Sequence, residues 1–555
     1  MKRLLAFALS VLLVMSGFAM AETYTATEQG FGGEVSVALT IEDGKLVDVS
    51  ITGDNETEGV GKVAVEKLAE AMKESGTIDV DALTGATISS TAILKAAAAA
   101  LQESGISLTT EEAQEEATTA EDTSADVVVV GAGAAGMTAA VRAAELGLKV
   151  ILLEKMPMVG GNTAMSTTAV FAVNTKVQQE AGSTATVEDF YNWLMPQYAT
   201  MDPDATMVLA ENSGEAVDWL IGLGADFTRV FNTFYHSPVD GSAPGPQIIK
   251  ALTNGIDINN VDLRLENKAE ELIMKDGAVA GIKVSSPAGE YTIDTTEVIL
   301  CAGGFANNAE MVYQYDTRWE GLGCSSSAGQ NGDGILMAEA VGAAVVDMED
   351  IRVNPTVLYQ GDKLISQSML RHNGGIMVNL DGKRFVNEQG SYTVASAAVV
   401  EQPEKRTFVV FDSGMLDIAL VNTYFEQGMY TAADSIPELA EKLGINPEGL
   451  QETIEQYKGY VAEQTDPDFG RTNFAIDFEK TPFLGIEIKP AVQGTFGGVK
   501  VDTGSRVIDT EGNVIPGLYA AGENAGEGTH GIAALCECLV FGKNAAFSAA
   551  EHING

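Results

Sequence analysis

The segment Asp126–Lys155, DVVVVGAGAAGMTAAVRAAELGLKVILLEK, limits the fold more than any other part of the chain. A continuous apolar strand, a glycine turn, a helix of small residues and a second apolar strand form one βαβ unit. Strands of this kind need a parallel sheet covered on both faces. In Gly131-x-Gly133-x-x-Gly136 the glycines allow the turn, the approach of a pyrophosphate and close packing of helix on strand, while the helix N-terminus favours negative charge. Glu154 closes the second strand about twenty residues on, where a carboxylate can bind ribose hydroxyls. Strand, turn, helix, strand and acid in register predict a dinucleotide site on a Rossmann-like α/β domain, with Gly131, Gly133, Ala135, Gly136 and Glu154 as contacts.

Two features favour FAD, held non-covalently, over NAD. Gly161, Asn162 and Thr163 follow the acid, and GLYAAGE (Gly517–Glu523) lies far down the chain. A flavin needs such remote backbone contacts along its ribityl chain and ring. The further expected contacts are Gly304 in EVILCAGGF, Asp333 in GDGILMAEAVGA, Gly522, Glu523 and Ile532. Gly531–Ala534 is expected to supply backbone donors to the pyrimidine edge, stabilising the reduced, negatively charged ring.

A chain of 555 residues exceeds one hydrophobic core and predicts several domains. Residues 1–21, with Lys2, Arg3, an apolar run and Ala19 and Ala21 before Glu22, read as a secretory signal peptide, so an extracytoplasmic location is expected, with an uncleaved tether as the alternative. Residues 22–105 alternate apolar and polar residues between Gly and Asp-Gly turns and then turn helical, reading as a small α+β domain. An acidic, Thr-rich linker spans 106–124. The FAD-binding domain is expected in two parts, 125–348 and 494–555, around an inserted mixed α+β domain at 349–493. Lys+Arg of 33 against Asp+Glu of 78 gives a net charge of −45, which excludes nucleic acid as a partner. The four cysteines are too few for a disulfide scaffold and read as free thiols; no metal site is expected.

With GAGAAGM, GGNT, CAGGF, GDGILMAEAVGA, DGKRFVNE and GLYAAGE on one chain, the sequence resembles the FAD-binding fumarate reductase/succinate dehydrogenase superfamily. Within it, the resemblance is to exported fumarate and urocanate reductases of the flavocytochrome c type, without the haem domain. It implies that 349–493 is a clamp closing over the substrate. The N-terminal Thr84-Gly85-Ala86-Thr87-x-Ser89 is similar to the attachment motif of FMN-binding domains. By that resemblance Thr87 carries FMN as a phosphoester made by a flavin transferase, while Ser89 or Ser90 caps the following helix.

The fumarate pattern then breaks. The family's substrate histidines fall at Asn354 and at Gln493 or Gly494, its proton-donating arginine falls at Tyr392, and its carboxylate-binding arginine loop has no counterpart in HGIAALCECLVFG. Arg371 matches an arginine of the family's proton relay, with Ser368 in place of its acidic companion. A buried dicarboxylate without these partners would carry uncompensated charge, so fumarate is not expected. A tyrosine keeps its proton at neutral pH and can deliver it to a developing carbanion, which makes Tyr392, with Arg371, the expected catalytic pair. Asn354, Gln493, His236, His372 and His530 are the remaining pocket candidates. The expected activity is hydride transfer from FAD, fed through FMN by a membrane-associated quinol or flavin/Fe–S donor, to a small organic acceptor with an activated C=C bond of urocanate, cinnamate or enone type. A sulfoxide reductase, a steroid-type dehydrogenase and a non-enzymatic electron carrier are the alternatives.

Overall fold

The structure, a computed structural model, describes residues 21–30, 32–56, 61–80, 87–104, 106, 108, 120–167, 169–197, 201–361, 363–526 and 533–555. It divides into two compact units, Met1–Thr118 and Thr119–Gly555.

In the first unit the strands Glu22–Gln29, Glu34–Glu42 and Lys45–Thr52 form an antiparallel sheet. The middle strand shows why: Val35, Val37, Leu39 and Ile41 alternate with Ser36, Ala38 and Thr40, and all four apolar residues are buried. They pack with Ala64, Leu68 and Met72 of the helix Gly61–Ser75 and with Ile93, Ala96, Ala97 and Ala100 of the helix Thr87–Ser104. That second helix begins at Thr87, so neither Ser89 nor Ser90 caps it. Both are buried inside its first turns, and Ser89 Oγ donates to Glu56 Oε2 at 2.6 Å. Residues 81–86 and the Thr87 side chain, on which the FMN attachment depends, lie outside the described residues.

The second unit is built on a six-stranded sheet in the order Asp262–Arg264, Val150–Leu153, Val127–Val130, Val298–Leu300, Val514–Ala520, Arg506–Ile508. Its first five strands run parallel, and the last pairs antiparallel. The β-branched run Val127–Val130 is buried along its whole length, as a strand covered on both faces must be. Two glycines allow its turn into the helix Ala134–Glu145. Gly131 adopts φ +99 against the Cys301 carbonyl, and a Cβ on Gly136 would collide with the Gly131 carbonyl oxygen.

A second sheet lies within the segment read as an insert. Its order is Lys363–Ser366, Ile351–Gln360, Phe483–Thr495, Thr407–Asp412, Ile376–Asn379. Most of this sheet packs against a core of Leu370, Phe408, Phe411, Leu439, Ile454 and Tyr457, while Ile351, Val353 and Val492 join the core under the parallel sheet. At its base Glu388 is fully buried, held by Arg384 through Nε at 2.7 Å and Nη2 at 2.8 Å and by Arg471 Nη1 at 3.2 Å. Asp466 completes the group, 2.8 Å from Arg384 Nη2. Two carboxylates thus neutralise two guanidiniums away from water. Removing one member leaves the others buried and unpaired, at a cost of roughly 3–5 kcal/mol. Glu388→Ala should therefore lower the unfolding free energy by about that much in urea titrations of the holoprotein. A loss below about 1 kcal/mol would show that the carboxylate carries no such burden.

Candidate active site

The glycine loop of the parallel sheet is open where a pyrophosphate has to approach. A Cβ on Gly133 would meet nothing nearer than 3.9 Å, and no side chain caps the helix that starts there. Glu154 bends back beneath the loop, accepting from the Ala132 amide at 2.8 Å and from the Met156 amide at 2.9 Å. Burial raises its carboxyl above the usual range while those two amides pull it down. Thr163 Oγ1 accepts from the Ala134 amide at 3.3 Å, and Ala135 packs against Gly522, so both follow the loop closely. Asn162 joins the distant segments: its Nδ2 donates to Glu523 at 2.9 Å and its Oδ1 accepts from the Ser327 amide at 2.8 Å. Asp333 pairs with Lys155, and the Gly304 amide donates to Gln330 at 2.6 Å. The buried Asn524 Nδ2 has no partner, an unspent donor beside Gly522 and Glu523. These residues fit FAD, and the sequence brings them together from four separate segments. Ile532 lies outside the described residues, as does His530.

The clamp sheet meets this cradle through the strand Phe483–Thr495. Its Gln493 carbonyl accepts from Ser326 Oγ, and a Cβ on Gly494 would lie 3.6 Å from Glu523 Oε1. Across from it, Ile351 pairs with Thr495, Arg352 with Gly494 and Val353 with Val492, which leaves Gln493 as the extra residue of a bulge. Gln493 Oε1 is buried without a partner. The helix Tyr392–Val400 is capped by Ser391 and tied to this strand pair by Ser396, whose hydroxyl donates to the Val353 carbonyl at 2.6 Å. Tyr392 is consequently placed between two cations, with the Arg352 guanidinium 4.5 Å and the Arg371 guanidinium 4.8 Å from its ring centre.

Arg371 is fully buried, and its Nη1 donates to the Glu388 and Gly390 carbonyls, the latter at 2.9 Å. Its Nε and Nη2, like Arg352 Nε, are buried without a hydrogen-bond partner. His372 faces Tyr392 at 6.2 Å between ring centres. Enclosure by protein atoms, together with the charges of Arg371, Arg352 and Arg471, pushes its imidazole down to about 4.

Residues 126–540 match the FAD binding domain family, and residues 30–102 match the FMN-binding domain family. The chain belongs to the FAD binding domain family. It is 34% identical to a urocanate reductase of Eggerthella lenta over 96% of this chain and 92% of that one. To an NADH:fumarate oxidoreductase of Klebsiella pneumoniae it is 33% identical over 96% of its length, but it spans only 59% of that protein. The open conformation of a flavocytochrome c3 fumarate reductase superposes with a TM-score of 0.70 at 33% identity, covering 79% of each chain. The expected Rossmann-like FAD fold, the FMN-binding domain and the flavocytochrome c resemblance are thereby shown.

Against this family frame, three expectations change. His236 is no pocket residue: it is fully buried, bonded to Thr175 Oγ1 at 2.9 Å and the Phe234 carbonyl at 3.0 Å, behind a layer of Phe171, Trp193 and Tyr235. Burial lowers its imidazole below the ordinary value. Asn354 does not present a free amide, since its Oδ1 accepts from the Thr356 amide at 3.0 Å and Ser368 Oγ at 2.9 Å, and its Nδ2 donates to Ser366 at 2.8 Å. The third change is an addition. Arg352 escaped notice because it falls at none of the family's substrate positions, although strand alternation places it on the same face as Asn354. The four cysteines are free, and burial raises the Cys301 thiol to about 12.

The chain has four histidines, so imidazole titrations resolve individually. His372 should titrate near pH 4 in the holoprotein by heteronuclear NMR, and Arg352→Gln should move the midpoint upward by removing one of its repelling charges. The unfolded chain takes up this proton near 6.5 and the folded chain only near 4, so stability falls as pH drops through that window. A midpoint near 6.5 that the substitution leaves unchanged would remove the positive cluster from consideration.

Proposed function

We propose that this chain is an exported two-flavin reductase of activated C=C bonds. A membrane-associated quinol or flavin/Fe–S donor feeds FMN, which a flavin transferase joins to Thr87, and the electrons then pass to FAD. The acceptor is an α,β-unsaturated acid or ketone of urocanate, cinnamate or enone type. The observation that carries this reading is the phenol of Tyr392 held between Arg352 and Arg371, beside the strand that touches Asn162 and Glu523 through Ser326, Ser327 and Gly494. The relatives named for fumarate and urocanate reduction support it.

Bound FAD supplies the hydride; the protein supplies the proton and the field. Addition across the double bond consumes one hydride and one proton, two electrons in all. Tyr392 delivers the proton to the carbon that becomes nucleophilic as the hydride arrives. The charge left on its oxygen is favoured by the two guanidiniums that lie against its ring. Arg371 is fixed by the Glu388 and Gly390 carbonyls, so this field is in place before reaction.

Tyr392→Phe should lower kcat by roughly 10²–10³-fold, with KM within a few-fold, in viologen-driven reduction assays. An unchanged kcat would remove Tyr392 as the donor, and rapid fumarate turnover would overturn the choice of acceptor. Separately, Thr87→Ala should abolish the flavin fluorescence that survives denaturing electrophoresis. A band that stays fluorescent would place the attachment elsewhere.

A further inference from the structure

We infer that Arg352 is the carboxylate anchor of the substrate pocket and that the pocket is built for an acceptor carrying one carboxylate. The inference rests on the reading of this site as a reductase pocket and names the substrate's charge and the residue that reads it.

The charges converging on the site do not cancel. Arg384 and Arg471 are matched by Glu388 and Asp466. Arg371 is held by two backbone carbonyls, which occupy donors without removing the charge. Arg352 makes no ion pair among the described residues; its contacts are the rings of Tyr392 at 4.5 Å and Phe496 at 5.9 Å, and its Nε is buried without a partner. Arg352 is half-buried and its one buried donor, Nε, is unspent; a ligand completes it, and the planar fork of a guanidinium suits a carboxylate. In a protein of net charge −45, an arginine without an ion pair beside a second unmatched arginine is conspicuous.

Position points the same way. Arg352 pairs with Gly494 at the Gln493 bulge, and Gly494 lies next to Glu523 of the flavin cradle. A carboxylate on Arg352 would therefore rest beside Tyr392 and next to Gly494 and Glu523, residues that would hold the flavin. Among the described residues the only other unmatched cation here is Arg371, fixed to the Glu388 and Gly390 carbonyls against the Tyr392 ring, and Asn354, bonded to the neutral Thr356, Ser366 and Ser368, adds no charge for a second carboxylate. Phe496 and Tyr392 leave apolar ring surface for the rest of the molecule.

The test compares cinnamate, its amide, its methyl ester and fumarate as acceptors for the reduced holoprotein. The wild type should reduce cinnamate with kcat/KM at least ~30-fold above the amide and ester, whose neutral heads cannot pair with Arg352. Arg352→Gln should raise KM for cinnamate roughly 30- to 300-fold and erase the preference for acid over amide, with an accompanying fall in kcat, of similar size for acid and amide, from the loss of one of the two guanidiniums beside Tyr392. Arg352→Lys should recover part of the loss, and FAD content should be unchanged in both variants. Equal use of acid and amide by the wild type, or an unchanged KM in Arg352→Gln, overturns the anchor. Preference for fumarate over cinnamate overturns the single-carboxylate pocket. Binding is read independently of turnover by titrating the oxidised holoprotein with 3-phenylpropanoate and its amide and following the flavin absorption spectrum. If no enoate is reduced, the reductase reading fails, and this titration still decides on Arg352. A perturbation by the acid alone that disappears in Arg352→Gln upholds the anchor, and an identical response from acid and amide sinks it.

Discussion

The hydroxyl of Thr495 holds the site together. It accepts from the Phe305 amide at 3.1 Å and fills the space where Gly304 lacks a side chain, so any Cβ there would collide with it. Through this joint the end of the clamp strand Phe483–Thr495 is pinned to the corner of the parallel sheet. Around it Ile351, Val353 and Val492 join the core of the parallel sheet, and Val492 exchanges backbone bonds with Gly323 and Ser325. Because Gln493 and Gly494 immediately precede the joint, the bulge, Arg352 opposite it and Tyr392 beside it are all placed relative to the flavin cradle.

Electrostatics adds the second constraint. The clamp buries a balanced group of two arginines and two carboxylates, and on that neutral base it adds Arg371, whose charge is not matched. Arg352 contributes another from the clamp sheet's strand Ile351–Gln360. The result is a local positive field in a strongly acidic protein, which together with enclosure lowers the His372 imidazole and which favours an anion beside Tyr392. The same enclosure that makes these charges costly without a ligand makes them selective with one.

Much of the framework was legible in the chain. The apolar run Val127–Val130 and the alternation of Val35, Val37, Leu39 and Ile41 report their strands directly, since burial on two faces or one leaves a distinct period. Gly131, Gly136 and Glu154 were legible because backbone sterics admit few residues at such a turn. Ser89 was misread as a cap because its partner, Glu56, lies 33 residues away. His236 was misread for the same reason: its neighbours Thr175 and the aromatic layer come from another part of the chain. Arg352 was legible in principle from strand alternation with Asn354. Its meaning depended on the absence of a nearby carboxylate, which no local pattern records.

The sequence by itself determined the elements and the flavin glycines, and it singled out Asn354, Gln493 and Tyr392 as pocket candidates. These follow from periodicity, chain stereochemistry and residue identity, which are properties of neighbours along the chain. Only the tertiary structure decided which charges are paired. Arg352, Arg371, Glu388 and Arg471 are far apart in sequence, and whether a guanidinium is neutralised depends on the sum of fields from all of them inside one low-dielectric space.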